Sequence, residues 1–135
     1  MFKAINKVRM HDTDMAGILY FPRIYRFAHD ALEDFISTLG FKFHTIFEEG
    51  HFIFVIVHSE ADYYASLRVG DEVEIHLAVE RIGHTSFTLV YEIYKNDQTH
   101  MGSVKTVHVC IDKKKFTKIP IPPFLKEALN KHLLL

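Results

Sequence analysis

Residues 10–39 read MHDTDMAGILYFPRIYRFAHDALEDFISTL, and this stretch decides the fold. Its first part, residues 11–17, is a short polar turn with two carboxylates and a glycine. From Pro22 onward, apolar residues recur at helical spacing until Gly40, a residue type that commonly ends a helix. The apolar positions are Ile24, Tyr25, Ala28, Ala31, Leu32, Phe35, Ile36 and Leu39. The pattern predicts one long helix with a heavily apolar face, directly after a turn that carries carboxylates.

The segments on either side of this helix are typical of strands. Residues 2–10 and 72–81 alternate apolar and polar side chains, as half-buried strands do. Residues 52–57 form a continuous apolar run, which predicts a strand buried on both faces. Further strands are predicted at residues 87–93 and 101–111, and turns at residues 68–71, 83 and 96–97. Residues 45–49 have some helical character, and a short helix is predicted at residues 123–132. The order is a strand, the long helix, four strands in a meander, and a short helix. We therefore predict an α+β fold with an antiparallel sheet packed against the long helix.

Composition excludes several classes of protein. The 135 residues suit a single domain that spans the whole chain. The formal net charge of −1 argues against a general nucleic-acid-binding protein. Cys110 is the single cysteine, so there is no intrachain disulfide, and no apolar run reaches the roughly 18 residues of a membrane span. The N-terminal residues lack the apolar core of a signal peptide, so we expect a cytoplasmic protein.

The ten histidines invite the hypothesis of a metal site. Neither an H-E-x-x-H motif nor a Cys or His pair at zinc-finger spacing occurs. We therefore expect no metal.

Residues 12–27, DTDMAGILYFPRIYRF, resemble the active-site segment of the 4-hydroxybenzoyl-CoA thioesterase family, whose fold is the hotdog. The family pattern is D-x-D-x-x-G-[IV]-[VL]-[YW] followed by a helix. It is matched by Asp12, Asp14, Gly17, Ile18, Leu19 and Tyr20. Gly70 and Asp71 match the family's Gly-Asp before its third strand. The resemblance implies a five-stranded antiparallel sheet wrapped around one long central helix.

The resemblance also implies an acyl-CoA thioesterase whose catalytic group is Asp14. A carboxylate can act on a thioester carbonyl as a nucleophile, or as a general base on a water. The backbone N–H of Phe21 is the implied donor to the oxyanion, and Pro22 after it has no N–H to offer. Gly17 forms a tight turn, gives the acyl group room to approach, or does both. By residue type alone, Asp12 is a turn or capping residue and Asp14 could be a helix cap. No cofactor is implied, because coenzyme A is part of the substrate.

Six further residues are candidates for substrate binding. Tyr20 is either a core or interface aromatic or a residue of the pocket lining. Lys113, Lys114 and Lys115 form either a solvated charged face or a site for the phosphates of coenzyme A, a task that suits lysine. His84 lies in a turn that contacts the nucleotide in some relatives. His58 is either a satisfied core histidine or a contact for a polar acyl ring.

Residues 57–58, 62–65 and 106–111 are similar to the branch that hydrolyses 1,4-dihydroxy-2-naphthoyl-CoA. Ser66 departs from this branch, whose members usually carry proline there. Two alternatives remain open, a hydrolase of acyl-carrier-protein thioesters and a non-catalytic acyl-CoA-binding module. A hotdog dehydratase is disfavoured because the chain has no His-Phe-Pro segment. A lone five-stranded sheet leaves an apolar edge exposed, so we expect a homodimer or homotetramer.

Overall fold

A computed structural model describes residues 1–39 and 52–134. Its elements, in chain order, are β1 (Phe2–Lys7), α1 (Ile24–Ser37), β2 (Phe52–Tyr63), β3 (Glu72–Ile82), β4 (Ser86–Lys95), β5 (His100–Asp112) and α2 (Pro123–Asn130). Two short 3-10 turns, Met10–Asp12 and Phe21–Arg23, lie between β1 and α1. The helical character predicted at 45–49 and the predicted helix end at Gly40 lie outside the described residues.

The sheet has five antiparallel strands in the order β1-β3-β4-β5-β2, and α1 packs against one of its faces. The α+β prediction is therefore confirmed. The predicted meander of four strands is right only for β3, β4 and β5. Strand β2 pairs with β5, from Phe52 opposite Asp112 to Tyr63 opposite Gly102. It cannot be the hairpin partner of β3, because β3 lies between β1 and β4.

The core lies between α1 and the inner face of the sheet. Six of the eight predicted positions of the helical face are buried, which are Ile24, Ala28, Ala31, Leu32, Phe35 and Ile36. Phe27 is buried as well, and Tyr25 and Leu39 are partly buried. The predicted alternation of β3 is confirmed, β4 alternates in a similar way, and both strands bury their apolar set against the helix. The α-helix begins at Ile24 rather than at Pro22, because the first turn tightens to a 3-10 turn, as helix ends often do.

Residues 52–57 form a strand, as predicted, but the prediction that this strand is buried on both faces was wrong within a single chain. Strand β2 is the last strand of the sheet and has only one neighbour, β5. Its middle is exposed, with Ile56 at 47% and Val57 at 59% of their full accessible area. Val57 is the bulged residue between two register pairs and has no partner in β5. The apolar run therefore marks an open edge rather than a central strand.

Strand β5 turns its more polar set of side chains inward. Thr106, His108 and Cys110 are buried, and Cys110 belongs to the core cluster. The intervening Val107 is half-buried. In the part of the chain that the structure describes, no helix is long and apolar enough to cross a membrane. The same residues contain no group of three metal-ligating side chains.

Candidate active site

Residues 11–20 form a tight loop ahead of α1. Within it, the Asp14 N–H donates to the Ile18 carbonyl and the Gly17 N–H donates to the Asp14 carbonyl, both at 3.0 Å. Gly17 has a φ of +77°, which side chains other than glycine rarely adopt. No atom lies within 4 Å of the place where a Cβ would stand. Gly17 is therefore required by the turn, while space for an acyl group stays a prediction.

The Asp14 side chain is exposed on this loop. One carboxylate oxygen, Oδ1, accepts a hydrogen bond of 2.9 Å from the Ala16 N–H, which closes a local turn. The helix-cap alternative does not hold, since neither the 3-10 turn after Tyr20 nor α1 after Arg23 has a side-chain cap. The carboxylate is therefore held by its own loop and faces solvent.

The Phe21 N–H stands at the start of the 3-10 turn that leads into α1. The first N–H groups of a helix have no partner within it. Among the described residues none accepts a hydrogen bond from the Phe21 N–H. The Phe21 carbonyl, in contrast, accepts a bond of 2.6 Å from the Tyr63 hydroxyl. The Phe21 N–H, which the resemblance implied as the donor to the oxyanion, is therefore unpaired among the described residues.

Asp12 is fully buried and supports the loop. Its carboxylate receives two bonds from the Arg26 guanidinium, Nε to Oδ1 at 2.7 Å and Nη2 to Oδ2 at 2.5 Å. It also accepts the Arg9 N–H at 2.8 Å, and its backbone carbonyl accepts the Tyr20 N–H at 2.8 Å. The prediction that Asp12 is a turn or capping residue is confirmed, and a buried ion pair is added to that role.

Burial on its own would raise the pKa of Asp12. The hydrogen bonds from Arg26 and the Arg9 N–H, with the charges of Arg26 and His11, outweigh burial and hold this pKa below its ordinary value. Hydrogen bonding to Asp12 in turn raises the pKa of Arg26, against the opposing effect of burial. Both groups therefore stay charged at neutral pH.

Arg26 continues this network to α1 and β1. Its Nη1 donates to Asp30 at 2.9 Å, and its Nη2 donates to the Lys7 carbonyl at 2.9 Å. The Asn6 amide also donates to Asp30, at 2.9 Å. Sequence reasoning did not assign Arg26, Asp30 or Asn6 to the site. A signal was available, because Asn6 interrupts the apolar set of β1 and the Arg26–Asp30 spacing places both side chains on one helix face.

A cavity of about 380 Å³ lies beside Phe21. Its walls come from the loop, the start of α1, the connection after β2 and the start of β5, and include Ile18, Phe21, Ile24, Tyr63, Leu67 and Met101. The Leu19 N–H donates to the Leu67 carbonyl at 2.8 Å, which ties the loop to that connection. Burial, with a smaller effect of Tyr25, raises the pKa of Tyr63, so its hydroxyl stays protonated and donates to Phe21.

The other predicted residues lie outside this cavity in the single chain. Tyr20 is 48% exposed and packs edge-on against the Phe21 ring. His58 is exposed on β2, 3.2 Å from Glu60, so its alternative as a core histidine is wrong. His84 is exposed in the β3–β4 turn, where its carbonyl accepts the Ile121 N–H.

The three lysines follow β5, at the end of the strand away from the cavity. Lys114 and Lys115 donate their backbone N–H groups to the Asp112 carboxylate, which shapes the turn. The strand between Met101, in the cavity wall, and Asp112 is about 36 Å long at ~3.3 Å per residue. The lysines and Phe21 therefore stand at opposite ends of one protomer.

The thioesterase-like superfamily model matches residues 8–129. The chain belongs to the thioesterase-like superfamily. A 1,4-dihydroxy-2-naphthoyl-CoA hydrolase from Synechococcus elongatus is 32% identical over 124 residues, which are 91% of this chain and 90% of that protein. This thioesterase is a thioester hydrolase, as its named relatives are.

Two solved structures are similar over nearly the whole chain. A 1,4-dihydroxy-2-naphthoyl-CoA thioesterase from Synechocystis has a TM-score of 0.89 and 28% identity, over 96% of this thioesterase and 95% of that chain. A gentisyl-coenzyme A thioesterase has a TM-score of 0.83 and 25% identity, over 95% and 98% of the two chains. The predicted hotdog fold is confirmed.

The Asp12–Arg26 pair leads to a prediction about stability. Arg26→Met is expected to lower the free energy of unfolding by about 3–5 kcal/mol at neutral pH, because a buried carboxylate loses its partner. The folded-state pKa of Asp12 lies below its ordinary value of 3.8, so pairing stabilises the wild type above that pH and the contribution is lost as the pH falls. The difference between the two proteins should therefore shrink as the pH falls below 3.8. Urea unfolding at fixed protein concentration measures it.

Arg81→Met is the matched control, because Arg81 is an exposed arginine of β3. It is expected to change the unfolding midpoint little. A stability of Arg26→Met equal to that of the wild type at neutral pH would contradict the assigned role of the pair.

Proposed function

We propose that this thioesterase hydrolyses an aromatic acyl-CoA, specifically 1,4-dihydroxy-2-naphthoyl-CoA, to the free acid and coenzyme A. The observation that carries the proposal is the exposed Asp14 carboxylate and the unpartnered Phe21 N–H, presented by one hydrogen-bonded loop beside a cavity. The substrate is suggested by the relatives that match most of the chain. A second aromatic thioester, gentisyl-CoA, is named for a similar structure and supports the aromatic class.

In the proposed reaction, the thioester carbonyl oxygen accepts a hydrogen bond from the Phe21 N–H. Negative charge develops on this oxygen as the carbonyl carbon becomes tetrahedral, and a fixed donor stabilises that charge. The Asp14 carboxylate attacks the carbon itself or takes a proton from the attacking water. The coenzyme A thiolate leaves with the electron pair of the C–S bond. If Asp14 is the nucleophile, the acyl group remains on it as a mixed anhydride, which a water then hydrolyses to the free acid. If Asp14 is the base, the free acid forms directly and the proton taken up by Asp14 passes to the thiolate.

We propose that coenzyme A binds to lysines of a second protomer. Lys113, Lys114 and Lys115 follow the end of β5 that is remote from the cavity beside Phe21 of their own chain. If two β2 edges pair antiparallel across a twofold axis, the Phe52 end of one β2 lies beside the Tyr63 end of the other. The partner's lysines then approach Asp14. His84 adjoins the segment after these lysines, since its carbonyl accepts the Ile121 N–H.

Edge pairing predicts the assembly. Light scattering should give a mass that is two or four times the 15.8 kDa of one chain. Val57→Pro is expected to give monomers that retain their fold, because Val57 has no partner in β5 and proline is tolerated on an open edge but blocks a further strand. Circular dichroism checks the fold, and Val57→Ala is the control that should remain assembled. A wild type of single-chain mass would contradict the pairing.

The role of Asp14 predicts the effect of Asp14→Asn. An amide of the same shape is a poor nucleophile and base, so kcat should fall about 10²–10⁴-fold while the protein folds normally. Thiol release from the acyl-CoA, followed with a thiol-reactive dye, measures the rate. Asp34→Asn makes the same change at an exposed position of α1 and should retain wild-type activity. Wild-type turnover by Asp14→Asn would overturn the mechanism.

The substrate proposal predicts an order of reactivity. Among CoA thioesters of aromatic and aliphatic acids, 1,4-dihydroxy-2-naphthoyl-CoA should have the highest kcat/KM. The same acyl group on acyl-carrier protein should react about tenfold more slowly, because it lacks the adenosine phosphates that the lysines would bind, and one such contact is worth roughly that factor. A higher kcat/KM for an aliphatic thioester, or for the carrier-protein thioester, would contradict the proposal.

A further inference from the structure

The Phe21 N–H lies between two backbone carbonyls that are both hydrogen-bonded. Its own peptide joins Tyr20 to Phe21, and the Tyr20 carbonyl of that peptide accepts the Arg23 N–H at 2.8 Å. The next peptide joins Phe21 to Pro22, which has no N–H, and its carbonyl accepts the Tyr63 hydroxyl at 2.6 Å. Of the polar groups in these two peptides, the Phe21 N–H is therefore the one without a partner among the described residues.

The two bonds differ in how far they reach along the chain. The bond from the Arg23 N–H to Tyr20 lies within a single 3-10 turn, so it follows from the local conformation. The Tyr63 hydroxyl comes from the end of β2, 42 residues away from Phe21 in the sequence. It therefore fixes the turn relative to the sheet, which a bond within the turn cannot do.

Gly102 of β5 lets the end of β2 approach the start of α1. Gly102 is the residue opposite Tyr63 in the sheet. A Cβ on Gly102 would lie 2.9 Å from the Asp62 carbonyl oxygen and 3.0 Å from Cδ1 of Ile24, and the first distance is shorter than real Cβ contacts. Glycine within a strand often marks such a close approach. The missing side chain at Gly102 thus brings Tyr63 within reach of the Phe21 carbonyl.

Tyr63 also forms part of the cavity wall beside Phe21, and the residue is 46% exposed. Its hydroxyl lies at an ordinary O–H···O distance from the Phe21 carbonyl. A phenol has one hydrogen to donate. Because that hydrogen goes to the Phe21 carbonyl, the hydroxyl has none left for the oxygen of a thioester. Any effect of Tyr63 on an oxyanion is therefore exerted through the turn.

The position of an oxyanion donor decides how much it contributes. A fixed N–H stabilises the charge that develops on the carbonyl oxygen without having to reorient during the reaction. A misplacement of about 1 Å can cost 10²-fold in rate. Phe21 stands at the start of a helix, and helix ends fray. A bond from the sheet to this turn therefore favours the reaction without any contact with the substrate.

We propose that Tyr63 is a positioning residue of this thioesterase, whose hydroxyl holds the turn so that the Phe21 N–H stands at the oxygen of the thioester carbonyl. The inference rests on the proposed function, which makes this N–H the oxyanion donor. Tyr63 acts through Phe21, and Gly102 permits that contact.

Tyr63→Phe tests the proposal, because it removes the hydroxyl and keeps the ring in the cavity wall. With the acyl-CoA that the wild type hydrolyses fastest, kcat should fall about 10–100-fold, since the donor is still present but misplaced. KM should change less than about twofold, since the hydroxyl does not bind the substrate. Thiol release measures both constants. An unchanged kcat, with or without a higher KM, would overturn the proposal.

Two controls separate the position of the donor from other effects. Tyr94→Phe makes the same change in β4, at a half-buried ring that stacks on His100, and should keep wild-type kinetics. Light scattering and urea unfolding should show that Tyr63→Phe is folded and has the wild-type mass, because the backbone edge of β2 is unchanged. A loss of assembly that accounts for the lost activity would overturn the proposal.

A carbonyl resonance tests the hydrogen bond itself. Phe21 and Pro22 form the only Phe-Pro pair in the sequence, so ¹³C-carbonyl phenylalanine and ¹⁵N-proline together label one peptide bond. Accepting a hydrogen bond shifts a carbonyl carbon downfield, so the resonance of this pair should move upfield in Tyr63→Phe. An unchanged resonance would mean that Tyr63 does not hold the turn in solution.

The substrate proposal and this inference fail in different ways. A wild type that prefers an aliphatic thioester would refute the proposed substrate, and the kcat ratio for that thioester would still test Tyr63. An unchanged kcat in Tyr63→Phe, in a protein that prefers 1,4-dihydroxy-2-naphthoyl-CoA, would refute the positioning role alone.

Discussion

The ion pair between Asp12 and Arg26 is the constraint on which the site depends. Asp12 is fully buried, and Arg26 binds both of its carboxylate oxygens as well as Asp30 and the Lys7 carbonyl. One guanidinium therefore joins the loop, α1 and β1. The Asp12 carbonyl also accepts the Tyr20 N–H, which closes the loop at its other end. The exposed carboxylate and the free N–H of this loop are held by a charge pair that takes no part in the proposed reaction.

The open edge of the sheet is the second constraint. Strand β2 exposes Ile56 and Val57 because β5 covers only one of its edges. The lysines after β5 and the loop before α1 stand at opposite ends of the protomer. In the proposed dimer, a second copy with β2 in the opposite direction would bring these ends together. On this proposal, the edge of β2 that is unpaired in one chain forms the interface of a dimer, and the site is complete only in that dimer.

Much of the fold could be predicted from the sequence because its signals are local. The spacing of apolar residues in α1 identifies the buried face of that helix, and the alternation in β3 and β4 identifies the buried face of each strand. The supporting role of Asp12 followed from residue type. The strand β2 was predicted correctly, but its predicted burial and its place in the meander were wrong, since an apolar run does not reveal whether the neighbouring surface belongs to the same chain. Asn6 interrupted the pattern of β1 because it belongs to a polar network that no local pattern describes.

The sequence by itself determined the long helix, the strands and the loop motif that carries Asp14 and precedes Phe21, because each depends on residues within one short segment. Only the tertiary structure decided that β2 pairs with β5, that Arg26 neutralises Asp12, and that β5 turns Thr106 and His108 inward. These outcomes depend on contacts between residues far apart in the chain. A cavity, a buried ion pair and an open edge each depend on segments that folding brings together, so they exist only after the chain has folded.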